Sequence, residues 1–202
     1  MEKVLTSKQI FALEKATVEH GTSIELLMKR AGTAVFEEVI KNYKPCATLV
    51  LCGPGNNGGD GFILARLLKK NNWHVTITLD ELKNISSLSE ATRTNRSKWT
   101  GDVIDFKKIN FSKYDLIIDA LFGIGLHRNI REPYTKIIQA THDKKIISVD
   151  IPSGIDSDTG EILGCAIKAE LTVTFEYKKP AFEVAHLKKY FGKVVVKKIG
   201  LA

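Results

Sequence analysis

The chain has 202 residues, of which 44% are hydrophobic and 26% are charged, a composition typical of a globular protein with a full-sized core. No apolar run is long enough to cross a bilayer, and the three cysteines lack the spacing of a disulfide framework or a zinc site. These features predict a cytoplasmic protein without a membrane partner. The formal charge of +7 comes largely from scattered lysine pairs, so nucleic acid is not expected as a partner.

Helical spacing of apolar residues alternates with continuous apolar runs along the chain. Capping-box pairs, Thr6 with Gln9 and Thr22 with Glu25, predict the starts of two helices that precede the first strand. The predicted helices span about 6–20, 22–42, 61–71 and, from a third capping box at Ser87, 87–99, with a further helix that has Pro133 at its first position. The predicted strands span 47–52, 74–79, 103–106, 114–120, 145–150, 171–175 and 193–199.

Apolar strands that alternate with helices are typical of a mostly parallel sheet covered on both faces. The chain shows no repeat, linker or low-complexity segment. We therefore expect residues 1–202 to form one α/β domain, a three-layer α/β/α sandwich with a Rossmann-like sheet and two N-terminal helices.

The junction between the first strand and the next helix is rich in glycine. Residues 53–61 contain five glycines, together with Asn56, Asn57 and Asp60. Glycine lets the backbone approach a ligand closely, and a helix start attracts anionic groups. A plain turn would need fewer glycines, so this segment predicts a ligand site.

The same segment allows other interpretations. Gly53 to Gly58 fits G-x-G-x-x-G, and Asp80 follows the second strand where a ribose-binding acid would lie, which would indicate a nicotinamide-dependent oxidoreductase. However, no second substrate domain follows. The segment also lacks the Gly-Lys-Ser/Thr ending of a P-loop, which disfavours nucleoside triphosphate hydrolysis.

Two aspartates lie at the ends of buried strands, Asp119 and Asp150. A carboxylate there is costly unless it is paired, hydrogen-bonded or coordinated, and ligands of such sheets bind beyond the carboxyl ends of the strands. We expect both to serve a site, although each could instead cap nearby loop amides.

Several segments carry a resemblance. Gly53–Gly61, Asp119–Gly123 and Ser148–Ile155, in this order, resemble the NAD(P)H-hydrate epimerase family, the YjeF N-terminal domain. Lys179–Pro180 also resembles a later loop of the family, with Ala181 in place of a glycine. The likeness extends over essentially the whole chain.

The resemblance implies an isomerase that interconverts the R and S forms of hydrated NADH and NADPH, in which C6 of the reduced ring carries a hydroxyl. A dehydratase that accepts one epimer would be its functional partner, and a homodimer is implied. Related domains also occur as non-catalytic scaffolds that bind protein or RNA, for example in an mRNA-decapping enhancer. A scaffold would not need Asn57, Asp60, Asp119 and Ser153 together, so their presence favours the enzyme.

The resemblance also implies site residues. One potassium ion per subunit would be held by Asn57, Asp119 and Ser153, which offer hard oxygen donors. Expulsion of the C6 hydroxyl as water and its re-addition on the other face would need a proton-transferring carboxyl, with Asp60 as first candidate and Asp150 as second. The implied substrate-binding residues are Asn56, Asn57, Gly58, Gly59, Asp60, Gly123, Ile124, Gly125, Leu126, His127, Arg128, Asn129 and Asp150.

Overall fold

The computed structural model describes residues 3–79 and 88–201, which contain a seven-stranded, all-parallel sheet. The strands are β1 (Ala47–Cys52), β2 (His74–Leu79), β3 (Asp102–Asp105), β4 (Leu116–Ala120), β5 (Ile146–Val149), β6 (Leu171–Phe175) and β7 (Lys193–Lys197). Their order is β3-β2-β1-β4-β5-β6-β7. The chain therefore winds outward from β1 in one direction and from β4 in the other, and the α/β fold predicted from the sequence is confirmed.

Helices cover both faces of the sheet. They are α1 (Ser7–Glu19), α2 (Ile24–Asn42), α3 (Asn56–Lys70), α4 (Glu90–Ser97), α5 (Tyr134–Ala140) and a short α6 (Lys188–Phe191). Successive side chains of a strand point to opposite faces, so Val50 packs in the core with α2 and α3, while Leu49 packs in the core with α5. Two cores separated by the sheet are the three-layer arrangement that the sequence predicts.

The N-terminal helices begin at hydroxyl caps. At α1 the predicted capping box is present, with the Gln9 N–H donating to Thr6 Oγ1 and the Thr6 N–H donating to Gln9 Oε1. At α2 the predicted cap, Thr22, was wrong. Ser23 caps this helix by accepting from the Leu26 N–H at 3.1 Å, because its hydroxyl lies one residue nearer the first turn.

Helix α3 begins five residues before the predicted start at Gly61. Its first residue is Asn56 and its N-cap is Gly55, so much of the glycine-rich segment is helical. Glycine has low helix propensity, which is why the sequence pattern places the start too late. Close packing against neighbouring backbone compensates for this cost.

The starts of two other helices differ less from the sequence prediction. Helix α4 is capped by Ser89, whose Oγ accepts from the Thr92 N–H at 3.3 Å, so the predicted start at Ser87 was wrong. Pro133 occupies the cap of α5 and not its first helical position. Asp80 and Ser87 lie outside the described residues, and so does the ribose-acid interpretation that depends on Asp80.

Candidate functional site

A cavity of about 780 Å³ lies at the carboxyl edge of the sheet. It is bounded by the start of α3, the loop that follows β4, the residue after β5 and one side of α1. Strands β1 and β4 are neighbours here, with Leu51 in register with Asp119, although the chain runs outward from them in opposite directions. Ligands of open α/β sheets bind at such a switch point.

Glycines allow the loops after β1 and β4 to cross. A Cβ at Gly53 would lie 1.7 Å from the Leu121 carbonyl oxygen, and one at Gly58 would lie 1.9 Å from the Gly53 carbonyl oxygen. The Gly53 N–H also donates to the Ala120 carbonyl oxygen at 2.9 Å. Any side chain at these two positions would push the helix start away from the loop, so the glycines set the floor of the cavity.

Asp60 lies on the second turn of α3 and lines the cavity while remaining 8% exposed. Burial, together with the nearby charges of Asp150 and Glu14, raises the pKa of Asp60 well above its ordinary value. A raised pKa favours the protonated form of the carboxyl, which is the form that can donate a proton to a bound molecule.

Asp150 follows β5 with a left-handed φ of 68°. Its Oδ1 accepts from the Nζ of Lys179 and from Thr174 Oγ1. Lys179 is 1% exposed and also donates to Thr174 Oγ1 and the Phe175 carbonyl oxygen. This buried ion pair fixes one carboxylate and one ammonium at the base of the cavity.

Asp119 and Ser153 lie beneath the cavity and not in its lining. Asp119 accepts from Ser148 Oγ and the Ser153 N–H at 2.8 Å, from Ser153 Oγ at 2.5 Å and from the Leu121 N–H at 3.3 Å. Burial raises the pKa of Asp119, and these hydrogen bonds partly counteract that rise. Ser153 Oγ in turn accepts from the Phe122 N–H at 2.9 Å, which ties the loop after β4 to Asp119.

The loop after β4 forms the opposite wall, and residues 123–128 all line it. A Cβ at Gly123 would lie 3.2 Å from Asp150 Oδ2 and 3.4 Å from Asn57 Oδ1, so three of the predicted segments meet there. His127 is held by Asp156 at 3.1 Å. Of the predicted substrate residues, Gly58, Gly59 and Asn129 do not line the cavity; their binding roles stay predictions.

Sequence reasoning missed two ionisable residues, Glu14 and Lys179. Glu14 lies four residues after Ile10 and three before Thr17, so it shares the buried face of α1 and reaches the cavity. An acid on an otherwise buried face was the available signal. Lys179 was quoted only for a loop resemblance, although a lysine shortly after the buried strand β6 is as unusual as the two strand-end aspartates.

The end of the described chain completes the wall. Glu176 is buried, and its Oε2 accepts from the N–H groups of Ile199, Gly200 and Leu201 at 2.9, 3.0 and 3.3 Å. Ile199 and Leu201 line the cavity as a result. Segments from both ends of the described chain therefore take part in the site.

Between residues 3 and 201, leaving out 80–87, no group of three or more His, Cys, Asp or Glu side chains is placed to hold a metal ion. Among the helices that the structure describes, none combines the length and apolar character needed to span a membrane. Cys46, Cys52 and Cys165 are free thiols.

Known proteins resemble the chain over its full length. It is 37% identical over 217 residues to an NAD(P)H-hydrate epimerase of Rhodobacter capsulatus, with 100% of both chains covered. It is 35% identical over 208 residues to one of Limosilactobacillus fermentum, with 96% of each covered. A bifunctional NAD(P)H-hydrate repair enzyme, Nnr, of Coxiella burnetii is 35% identical over 206 residues, and the chain spans only 42% of its length.

The fold has a solved counterpart. A crystal structure of the yeast protein ynu0 superposes with a TM-score of 0.79 at 25% identity, covering 97% of this chain and 88% of that one. The sequence profile of the family described as YjeF-related protein N-terminus matches residues 24–181. This match takes in α2, the start of α3, Asp119, Asp150 and Lys179. The chain therefore belongs to the YjeF-related N-terminal family.

Proposed function

We propose that the protein is an NAD(P)H-hydrate epimerase, an isomerase that interconverts the R and S forms of hydrated NADH and NADPH. The observation that carries the proposal is a buried carboxyl with a raised pKa, Asp60, which lines a cavity of about 780 Å³ together with the Asp150–Lys179 pair. Relatives that match the chain end to end and are named as epimerases support it. The scaffold interpretation is not favoured, since the ionisable site is intact.

The chain's own groups fit the chemistry. The first N–H groups of α3, at residues 56 and 57, lack partners within the helix and can hold pyrophosphate oxygens. Asp60 can protonate the leaving C6 hydroxyl, since its raised pKa favours the protonated form and the residue lines the cavity. The loop at 123–128, with Arg128 and His127, closes the other side of the substrate.

Potassium is the proposed ion, held by Asn57, Asp119 and Ser153. Three observations support the fit: Asp119 is a fully buried carboxylate, its four hydrogen-bond donors are all neutral groups, and the buried Nδ2 of Asn57 has no hydrogen-bond partner in the described part of the chain. Amide nitrogen and oxygen are interchangeable by a flip, so Asn57 could present its oxygen there. The ion would supply positive charge beside Asp119 and stabilise the loop after β4.

A dehydratase that consumes one epimer is the proposed functional partner, and the fused repair enzyme of Coxiella burnetii supports this pairing. We also propose a cytoplasmic homodimer.

The test is R-to-S conversion on a defined mixture of NADPH hydrates, followed for the wild type and Asp60→Asn. General acid–base catalysis contributes about 100-fold or more, so the variant should lose at least that factor in kcat. Asp102→Asn, at an exposed position on β3, is the matched control and should keep wild-type activity. No conversion by the wild type, together with stabilisation by a short RNA in a thermal-shift assay, would support the scaffold instead.

A further inference from the structure

Two cavities meet at the carboxyl edge of the sheet. The first is the 780 Å³ cavity described above, and the second, of about 500 Å³, lies between α1 and α2. The walls of the second cavity are largely apolar, with Val18, Leu27, Met28 and Ala31 among them. The second cavity is therefore the more apolar of the two.

Glu14 and Asp60 both line both cavities. Glu14 comes from α1 and Asp60 from α3, so the two carboxyls reach the junction from separate elements. The reduced nicotinamide ring is uncharged and suits the apolar side, while the pyrophosphate suits the polar side. C6 of the ring would then lie at the junction, within reach of both carboxyls.

Epimerisation needs proton transfer on both faces of the ring. If the hydroxyl leaves from one face and water adds to the other, one group must donate a proton and another must accept one. Asp150 has its Oδ1 engaged by Lys179 and Thr174 and stays a predicted candidate, whereas the carboxyls of Asp60 and Glu14 have no hydrogen-bond partner in the described residues.

We propose that Glu14 is the second proton-transfer residue of the epimerase, acting on the ring face opposite to the one that Asp60 serves. The inference rests on the proposed function. It assigns a catalytic role to a residue of α1 that lies outside the glycine-rich segment and outside the strand ends.

Epimerisation breaks the C6–O bond on one face of the ring and forms a new C6–O bond on the other. The ring nitrogen's electron pair forms the C6=N bond of an iminium while the C6–O bond breaks, and the leaving oxygen takes the Asp60 proton and departs as water. Water then attacks C6 from the other face, its extra proton passes to the Glu14 carboxylate, and the C=N electrons return to nitrogen. Proton exchange with solvent restores the original distribution between the two carboxyls.

The surroundings of Glu14 suit an acceptor near neutral pH. Burial and the charge of Asp150 raise the pKa of Glu14 to about 7, while Lys179 lowers it. Burial and the charges of Asp150 and Glu14 also raise the pKa of Asp60 well above its ordinary value, as expected for a proton donor beside an acceptor. The ionisable groups that line the two cavities together with Glu14 are Asp60 from α3, Asp150 after β5, Lys179 after β6, His127 and Arg128 from the loop after β4, and Lys15 and Glu19 from α1 itself.

The experiment compares wild type, Glu14→Gln, Glu14→Asp and the control Glu25→Gln, whose side chain is exposed on α2. We expect Glu14→Gln to lower kcat about 100-fold or more, Glu14→Asp to recover part of it, and Glu25→Gln to be unaffected. Affinity for NADP⁺, measured by calorimetry, should change less than about threefold. In the wild type the rate should fall below about pH 7 as Glu14 takes up a proton, and Glu14→Gln should lose that limb.

Thermal stability distinguishes a catalytic role of Glu14 from a structural one. The pKa of Glu14 is raised from 4.5 to about 7, so the folded chain holds a proton that the unfolded chain has released, and stability falls as pH rises through that range. Glu14→Gln should therefore have a higher Tm than wild type at pH 8. A lower Tm at pH 8 would indicate a structural role and overturn the proposal.

Activity of Glu14→Gln within threefold of an active wild type would also overturn it and leave the epimerase function standing. A folded wild type without turnover would overturn the proposed function, and the role of Glu14 with it.

Discussion

Asp119 and Asp150 are both strand-end carboxylates, but among the residues that the structure describes only Asp150 has a cationic side chain as partner. Asp150 is paired with Lys179, whereas the four donors to Asp119 are neutral. Burying an unpaired charge costs several kcal/mol, and each hydrogen bond to a charged group returns about 1.5–3 kcal/mol. Four such bonds can hold Asp119, and a monovalent cation would add the missing positive charge.

Replacing choline by potassium in the buffer should therefore raise the Tm of the wild type, by about 2–4 °C for each kcal/mol of binding free energy. Asn57→Ala should abolish this increment, because it removes the amide whose Nδ2 has no partner in the described residues. Asn56→Ala is the matched control, since the Asn56 side chain accepts from Ser89, and it should keep the increment. Equal Tm values in potassium and choline would contradict the proposed site. Differential scanning calorimetry gives both quantities.

At this scale the sequence predicts well wherever a polar residue interrupts an apolar strand. Asp119 and Asp150 were found that way, and Asp60 from its glycine-rich surroundings. Glu14 was missed because a single acid at the spacing of the buried face of α1 does not indicate a site until the packing of that helix is known. Lys179 was missed as a site residue because its partner, Asp150, lies 29 residues away.

Helix α3 shows how tertiary contacts decide an element's start. Replacing a glycine inside a helix by alanine usually gains about 1 kcal/mol from propensity. At Gly58 the added Cβ would lie 1.9 Å from the carbonyl oxygen of Gly53. This clash is with backbone, which cannot move aside as the end of a flexible side chain could. The cost of such overpacking, about 1–3 kcal/mol or more, exceeds the gain.

Gly58→Ala should therefore lower the free energy of unfolding by about 2 kcal/mol or more. Gly55→Ala, three residues earlier, should cost less than about 1 kcal/mol, because nothing lies within 4 Å of its Cβ and only N-cap preference is lost. Urea unfolding of the two variants measures the difference. Equal losses would show that the crossing at Gly53 is not what sets the helix start.

The existence and order of most elements could be predicted, since strand and helix periodicities differ clearly. The start of α3 could not, because its glycines resemble a loop in propensity. The caps of α2 and α4 went wrong for a related reason: several hydroxyl residues lie near each start, and packing selects Ser23 and Ser89 among them.

The whole molecule exposes apolar side chains unevenly. Within residues 3–79 and 88–201, four of the five exposed large hydrophobic residues lie on α1 and α2: Phe11, Ile24, Leu26 and Ile40. The fifth, Val103, lies on β3 at the edge of the sheet. A concentration of this kind is typical of a surface that binds another protein, and it supports the proposed homodimer through the N-terminal helices.

Light scattering should give a mass of about twice the 22.5 kDa of one chain. The double variant Ile24→Glu with Leu26→Glu should shift the protein to monomer, because two carboxylates would have to be buried in the interface. Val103→Glu places a charge on an equally exposed apolar residue away from these helices and should leave the mass unchanged. A monomeric wild type at micromolar concentration would contradict the homodimer.

The hydrogen bonds of Glu176 hold residues 199–201 in the cavity wall, so the shape of the cavity depends on contacts between distant segments. Glu14, near the beginning of the chain, and Leu201, near its end, line the same space, and Lys179 and Asp150 reach it from the interior. These groups come from segments far apart in the sequence, so the site forms only when α1, the strand ends and residues 199–201 have packed together. A bound dinucleotide would contact both α1 and residues 199–201. Its binding would therefore stabilise the folded arrangement of these two distant segments.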